Sequence, residues 1–261
     1  MGSTAEASRG RILAFRIVAG FLGLIAFVPS VLFVIGSFTD EAQDIHLVHN
    51  VSGLAGYGLV FGAAGLVMAS RPRDSEAAFR ALAFSAVVSL LAGLIAGDVV
   101  SGFWFIGAVF AIVLFALHPD RADAIRVRSV SPTLLGLGLV ALVAAGVFAL
   151  HQTELQRNGI PAVDPHAEFH HYSGMAVMAL VLAAGALAAA TGGGGWRVIG
   201  WATGIGAALY GAASLAYSDH VGTIDAPWAV VTLIWGCALI AVTEFEVRRA
   251  AWVDRARADV R

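Results

Sequence analysis

Histidine and aspartate are the residues in this chain with the means to do chemistry, and they come in two groups. The fuller one reads His166-Ala-Glu168-Phe-His170-His171, followed some fifty residues on by Asp219-His220; the leaner one is His46, His49 and Asp98. On a continuous helix His166 and His170, at i and i+4, share a face, as do His46 and His49 at i and i+3. Imidazole nitrogens and carboxylate oxygens at such spacing suit zinc, copper or non-haem iron. The expected metal ligands are His166, His170 and His220, with Asp219 as a fourth donor or as the acceptor that orients a histidine, and with His171 beside them. His46, His49 and Asp98 form a second, sparser set. Glu168 and Asp219 are the candidate general bases if a bound metal activates water. His151, Glu154 and Asp164 read as ordinary solvated groups.

Those side chains must be held by membrane helices. The 261 residues are 59% hydrophobic and only 13% charged, with a mean hydropathy of +0.81, whereas soluble domains carry about 25% charge. Apolar runs cover roughly 12–38, 48–70, 78–96, 102–117, 132–150, 172–190, 198–217 and 226–242, enough for about eight spans and no sizeable extramembrane domain. The first run is too long for a signal-peptide core and reads as an uncleaved span. The expected fold is an all-α integral membrane protein in the cell membrane, with the lipid bilayer as its partner.

Charge distribution orients it. All positive charge is arginine, which rules out a retinal Schiff base. Every arginine except Arg157 falls into alternate loops or the termini, which places both termini in the cytoplasm and makes the number of spans even. His46, His49, His151, His166, His170, His171 and His220 then lie at the outer face with Asp40, Glu41, Asp44, Asp98, Glu154, Asp164, Glu168, Asp219 and Asp225; only His118 lies inside. A net charge of −2 with dispersed arginines leaves no basic surface for nucleic acid. The lone Cys237 permits neither an intrachain disulfide nor a thiolate metal site. No phosphate-cradling motif occurs: the glycines at 192–195 read as an inner turn, and Trp104 and Trp228 as members of the aromatic belt.

A shift of 121 residues superposes the halves without a gap, placing His49 on His170, Ser52-Gly53 on Ser173-Gly174 and Asp98 on Asp219. The chain therefore reads as two parallel four-helix repeats, 1–125 and 126–261, related by an axis along the membrane normal. Within each half the second span descends from its histidine and the third climbs to its aspartate, so His49 nears Asp98 in level and His170 nears Asp219. The Ser-Gly pairs are expected to let helices approach closely.

In layout the chain resembles haem A synthase, a family of two four-helix halves with both termini inside and histidines near the outer face. The resemblance implies haem ligation by His49 and His170, the first member of each histidine pair in that family. The fourth and eighth spans, opening Gly102-Phe-Trp and Ala226-Pro-Trp, carry no second member. Membrane zinc hydrolases of the ceramidase and adiponectin-receptor type combine the same residue types at a different spacing. Four functions follow in order: an outer-face His/Asp transition-metal site for catalysis or ion handling; a haem- or quinone-binding redox protein; a transporter; and a structural subunit without chemistry.

Overall fold

The computed structural model describes residues 9–39, 46–100, 102, 104–127, 129–160, 164–220 and 222–258, with side chains to 249. Asp40, Glu41 and Asp44 lie outside the described residues. Within them the chain is helical and contains no strand: α1 Arg9–Thr39, α2 Leu47–Ser70, α3 Glu76–Ala96, α4 Ile106–Leu117, α5 Arg121–Ile125, α6 Pro132–Asn158, α7 Pro165–Glu168, α8 His171–Ala190, α9 Trp196–Ala216 and α10 Ala226–Ala258. Residues Leu54–Phe61 of α2 are wound as a π-helix.

Seven of these helices are long and apolar enough to cross a membrane: α1, α2, α3, α6, α8, α9 and α10. The fourth apolar run yields only the 12-residue α4, about 18 Å of helix against a hydrocarbon core of about 30 Å. Contacts at both ends of α3 show how the chain nevertheless returns along it. Trp104, ahead of α4, lies against Gly93 and bonds Asp98 at one end of α3, while His118, just past α4, packs on Phe79 at the other. The short α4 thus lies beside α3, between contacts at both of its ends.

The bundle has two chemically distinct ends. At one, Arg11 donates to the Pro119 carbonyl, Arg16 to that of Ala69, and buried Arg80 to Thr191 Oγ1, the Arg126 carbonyl and the Gly192 carbonyl. At the other stand His46, His49, Asp98, His166, His170 and His171. α8 is the most enclosed helix, and with α2, α3 and α9 it forms the centre; α1, α6 and α10 present large apolar side chains such as Leu13, Ile17, Phe21, Val143, Val147 and Ile234 outward. So much exposed hydrocarbon suits lipid contact and not water.

α2 rests on α1 and α8 on α6; α3 meets α4 and α9 meets α10; across the centre α2 packs on α9 and α3 on α8. Close approach comes from glycines other than those at the Ser-Gly pairs. Gly53 has open space where a Cβ would stand, whereas Cβ atoms on Gly204 and Gly236 would come within 2.7 and 2.5 Å of each other's carbonyl oxygens between α9 and α10.

Candidate metal centre

Four imidazoles meet at the histidine end. His46, His49, His166 and His171 each offer a ring nitrogen, and the four atoms lie within 4.8 Å of one another. Ring centroids are 4.8 Å apart for His46–His171 and His49–His171, 5.0 Å for His49–His166, and 6.3 Å for His46–His49. A tetrahedral ion with metal–nitrogen bonds of ~2.0–2.1 Å has ligand atoms about 3.4 Å apart, a contraction within reach of small side-chain rotations. The four side chains are therefore able to hold a metal ion.

Each of the four imidazoles has an identifiable support. His46 and His49 open α2, whose first turn is tied to α1 by Asn50 Nδ2, donating to Ser37 Oγ at 2.7 Å and to the Phe33 carbonyl at 3.3 Å. His166 sits in α7, started by Pro165 and by Asp164, whose Oδ1 accepts from the His166 backbone N–H at 3.0 Å. The same Oδ1 is 3.4 Å from His166 Nδ1, and Tyr172 donates its hydroxyl hydrogen to Oδ2 at 3.2 Å. Gln156 of α6 donates to the Ala167 carbonyl at 2.8 Å and accepts from the Ser173 N–H at 3.4 Å, clasping the turn between α7 and α8. Gly222, at φ 93°, backs onto His49: a Cβ there would stand 2.9 Å from its Cε1 and Nε2.

The polar inventory of this knot is unbalanced. His46 Nδ1, both nitrogens of His49, His166 Nε2 and His171 Nδ1 are buried with no hydrogen-bond partner in the structure. Each buried unsatisfied group costs about 1–3 kcal/mol, and one shared partner would satisfy several of them together. With His166 Nδ1 turned to Asp164, its Nε2 lone pair is the one left for a metal. Burial first, and then the neighbouring His166, holds the His46 pKa below its ordinary value, keeping that ring neutral and ligand-competent. Burial pushes the Asp164 carboxyl up, but hydrogen bonds from the His166 N–H, Tyr172 and the Ala167 N–H, with a smaller electrostatic contribution from the adjacent His166 ring, hold it below the usual range.

The expected residues are thus distributed differently from their sequence grouping. His166 and His171 join His46 and His49, whereas His170 stands outside the four-imidazole group with Nδ1 3.1 Å from Asp98 Oδ2. The reason is local. The helix through 166–171 is broken at His170, which caps α8 in the left-handed region at φ 58°. On a continuous helix residues 166 and 171 would point about 140° apart; the kink turns both inward and rotates His170 away. Asp98 receives Ser173 Oγ–H at 2.5 Å and Trp104 Nε1–H at 3.0 Å besides His170. Trp104 is accordingly half-buried, stacked on Tyr57. Asp219 is exposed with the Ser218 hydroxyl at 3.4 Å, His220 packs edge-on against Tyr217, and Glu168 is exposed.

Asp164, Gln156, Tyr172 and Gly222 were not legible as parts of a site. Asp-Pro-His is a helix-start signal that could have marked Asp164 as fixing the His166 backbone; nothing in the sequence marks the other three.

No known family model matches the chain, and no curated protein or solved structure shows significant similarity to it.

Proposed function

We propose that this membrane protein binds one transition-metal ion through His46, His49, His166 and His171, at the outer face of a bilayer. The observation that carries this reading is the convergence of four imidazoles, each with at least one buried ring nitrogen lacking a hydrogen-bond partner. A neutral, all-nitrogen donor set favours zinc or copper over iron sites built on carboxylates. Four protein donors complete a tetrahedral shell, and the exposed Glu168 and Asp219 are poorly placed as general bases, so ion handling or a structural or redox ion is favoured over water activation. A haem is disfavoured for a steric reason: the rings beside His49 fill the space a macrocycle needs, and His170 is committed to Asp98.

The site lies where the halves meet, with two ligands from each. The matching packing relations of the halves, together with the 121-residue register, support a duplicated four-helix unit. The arginine-rich end is the cytoplasmic one on the positive-inside rule, which puts both termini inside and the metal centre outside.

X-ray absorption on zinc- or copper-loaded protein tests the reading. It should give a first shell of nitrogen alone at about 2.0–2.1 Å with the outer-shell scattering of imidazole. A shell dominated by oxygen, unchanged in His49→Leu, would overturn it.

A further inference from the structure

The sharp turn that aims His171 inward is held by a residue from the other half of the chain. α3 ends at Gly97, which adopts φ 79°, and the Asp98 N–H returns to the Gly93 carbonyl at 3.0 Å. This closure throws the Asp98 carboxylate, almost fully buried, against the first turn of α8, where it receives Ser173 Oγ–H and faces His170 Nδ1. Trp104 closes its other oxygen. His170 is the only non-glycine among the described residues with positive φ, a conformation that persists only when its surroundings enforce it. Its neighbour His171 and, one short helix earlier, His166 both depend on that kink to face His46 and His49.

We infer that Asp98 is a positioning residue for the metal centre: by anchoring His170 in the left-handed turn it sets the direction of His171 and His166 without touching the ion. This rests on the metal reading above. It also gives the two halves a mechanical link, because a carboxylate of the first half fixes ligands carried by the second.

Cobalt(II) serves as the probe, titrated into full-length protein in detergent, because its visible bands report ligand geometry independently of fold stability. Asp98→Ala is expected to weaken cobalt binding about 10–100-fold, the usual range for outer-shell partners of metal ligands, and to alter the band pattern. Asp98→Asn, which keeps one acceptor oxygen, should retain more affinity. At the turn itself His170→Gly, free to adopt positive φ, should bind cobalt more tightly than His170→Ala. Wild-type affinity and spectrum in both Asp98→Ala and His170→Ala would overturn the inference while leaving the metal centre standing. Failure of the wild-type protein to bind cobalt would instead remove the metal reading and this inference with it. Should Asp98→Ala not give monodisperse protein, the His170 pair decides: equal, wild-type binding in both overturns the inference.

Discussion

Replacing His49 by leucine should change stability in opposite directions with and without metal. His49 is 6% exposed and both its ring nitrogens lack partners. In metal-free protein an apolar side chain of similar size removes two uncompensated polar atoms, each costing about 1–3 kcal/mol, against some loss of fit. The net gain is about 1–3 kcal/mol, or roughly 2–10 °C in Tm for a chain of this size. With metal present the sign reverses. A site worth about 10–16 kcal/mol over four ligands loses about 3–4 kcal/mol with one of them, a 100- to 1,000-fold drop in affinity. Wild-type protein at a thousandfold excess of zinc over Kd gains about 4 kcal/mol; His49→Leu at the same zinc concentration should gain little. Differential scanning fluorimetry in detergent, with chelator and then with zinc, reads both arms. A variant destabilised equally in both conditions, with the zinc shift intact, would mean that the four rings are packing groups and would refute the reasoning.

Acidification should release the metal and weaken the fold. His46 and His118 both have pKa values held below the ordinary 6.5 mainly by burial, so their contribution is fully present above about pH 6.5 and is lost as pH falls through their lower folded values. Tm in chelator should be flat from pH 7 to 8 and fall below pH 6, with bound metal extending the plateau to lower pH. Arg80→Ala removes a guanidinium that joins three acceptors, Thr191, Gly192 and Arg126, at the opposite end; a loss of about 3–5 kcal/mol is expected, visible as a lower Tm, and Arg80→Lys should not restore it because an ammonium lacks the planar fork. Gly236→Val should separate α9 from α10 and cost more than about 3 kcal/mol, whereas Gly53→Ala, in open space within a helix, should be neutral or gain up to about 1 kcal/mol. With Cys237 replaced, single cysteines placed near each terminus should resist an impermeant maleimide in intact cells; labelling of either one would contradict the orientation.

Hydropathy alone was enough to read the helical architecture, because each of the seven helices long enough to cross a membrane is a continuous apolar stretch. The fourth apolar run was less legible, since its helix begins only at Ile106 and Trp104 ahead of it bonds Asp98. At the histidine cluster, the sequence grouped His166 with His170 on the assumption of an unbroken helix from 166 to 171, whereas the structure brings His166 and His171 to His46 and His49. One residue in the left-handed region turns His170 out of the group while His171 stays in it, and no local pattern announces positive φ at a histidine. The meeting of His46 and His49 with His166 and His171 is a tertiary fact: it depends on how α2 meets α8, and spacing along the chain carries no record of it. Asp98 and Asp219, alike in register, sit in different surroundings, the one buried among donors and the other exposed.

Metal content bears most directly on the four-histidine centre. Protein purified in detergent, supplied with zinc and copper in turn and then freed of loose ions by gel filtration, should carry about one ion per chain by mass spectrometry of the elements. A variant with His46, His49, His166 and His171 all replaced by leucine should carry none while keeping its helical circular dichroism. Wild-type protein that emerges without stoichiometric metal, or a quadruple variant that retains it, would contradict the assignment.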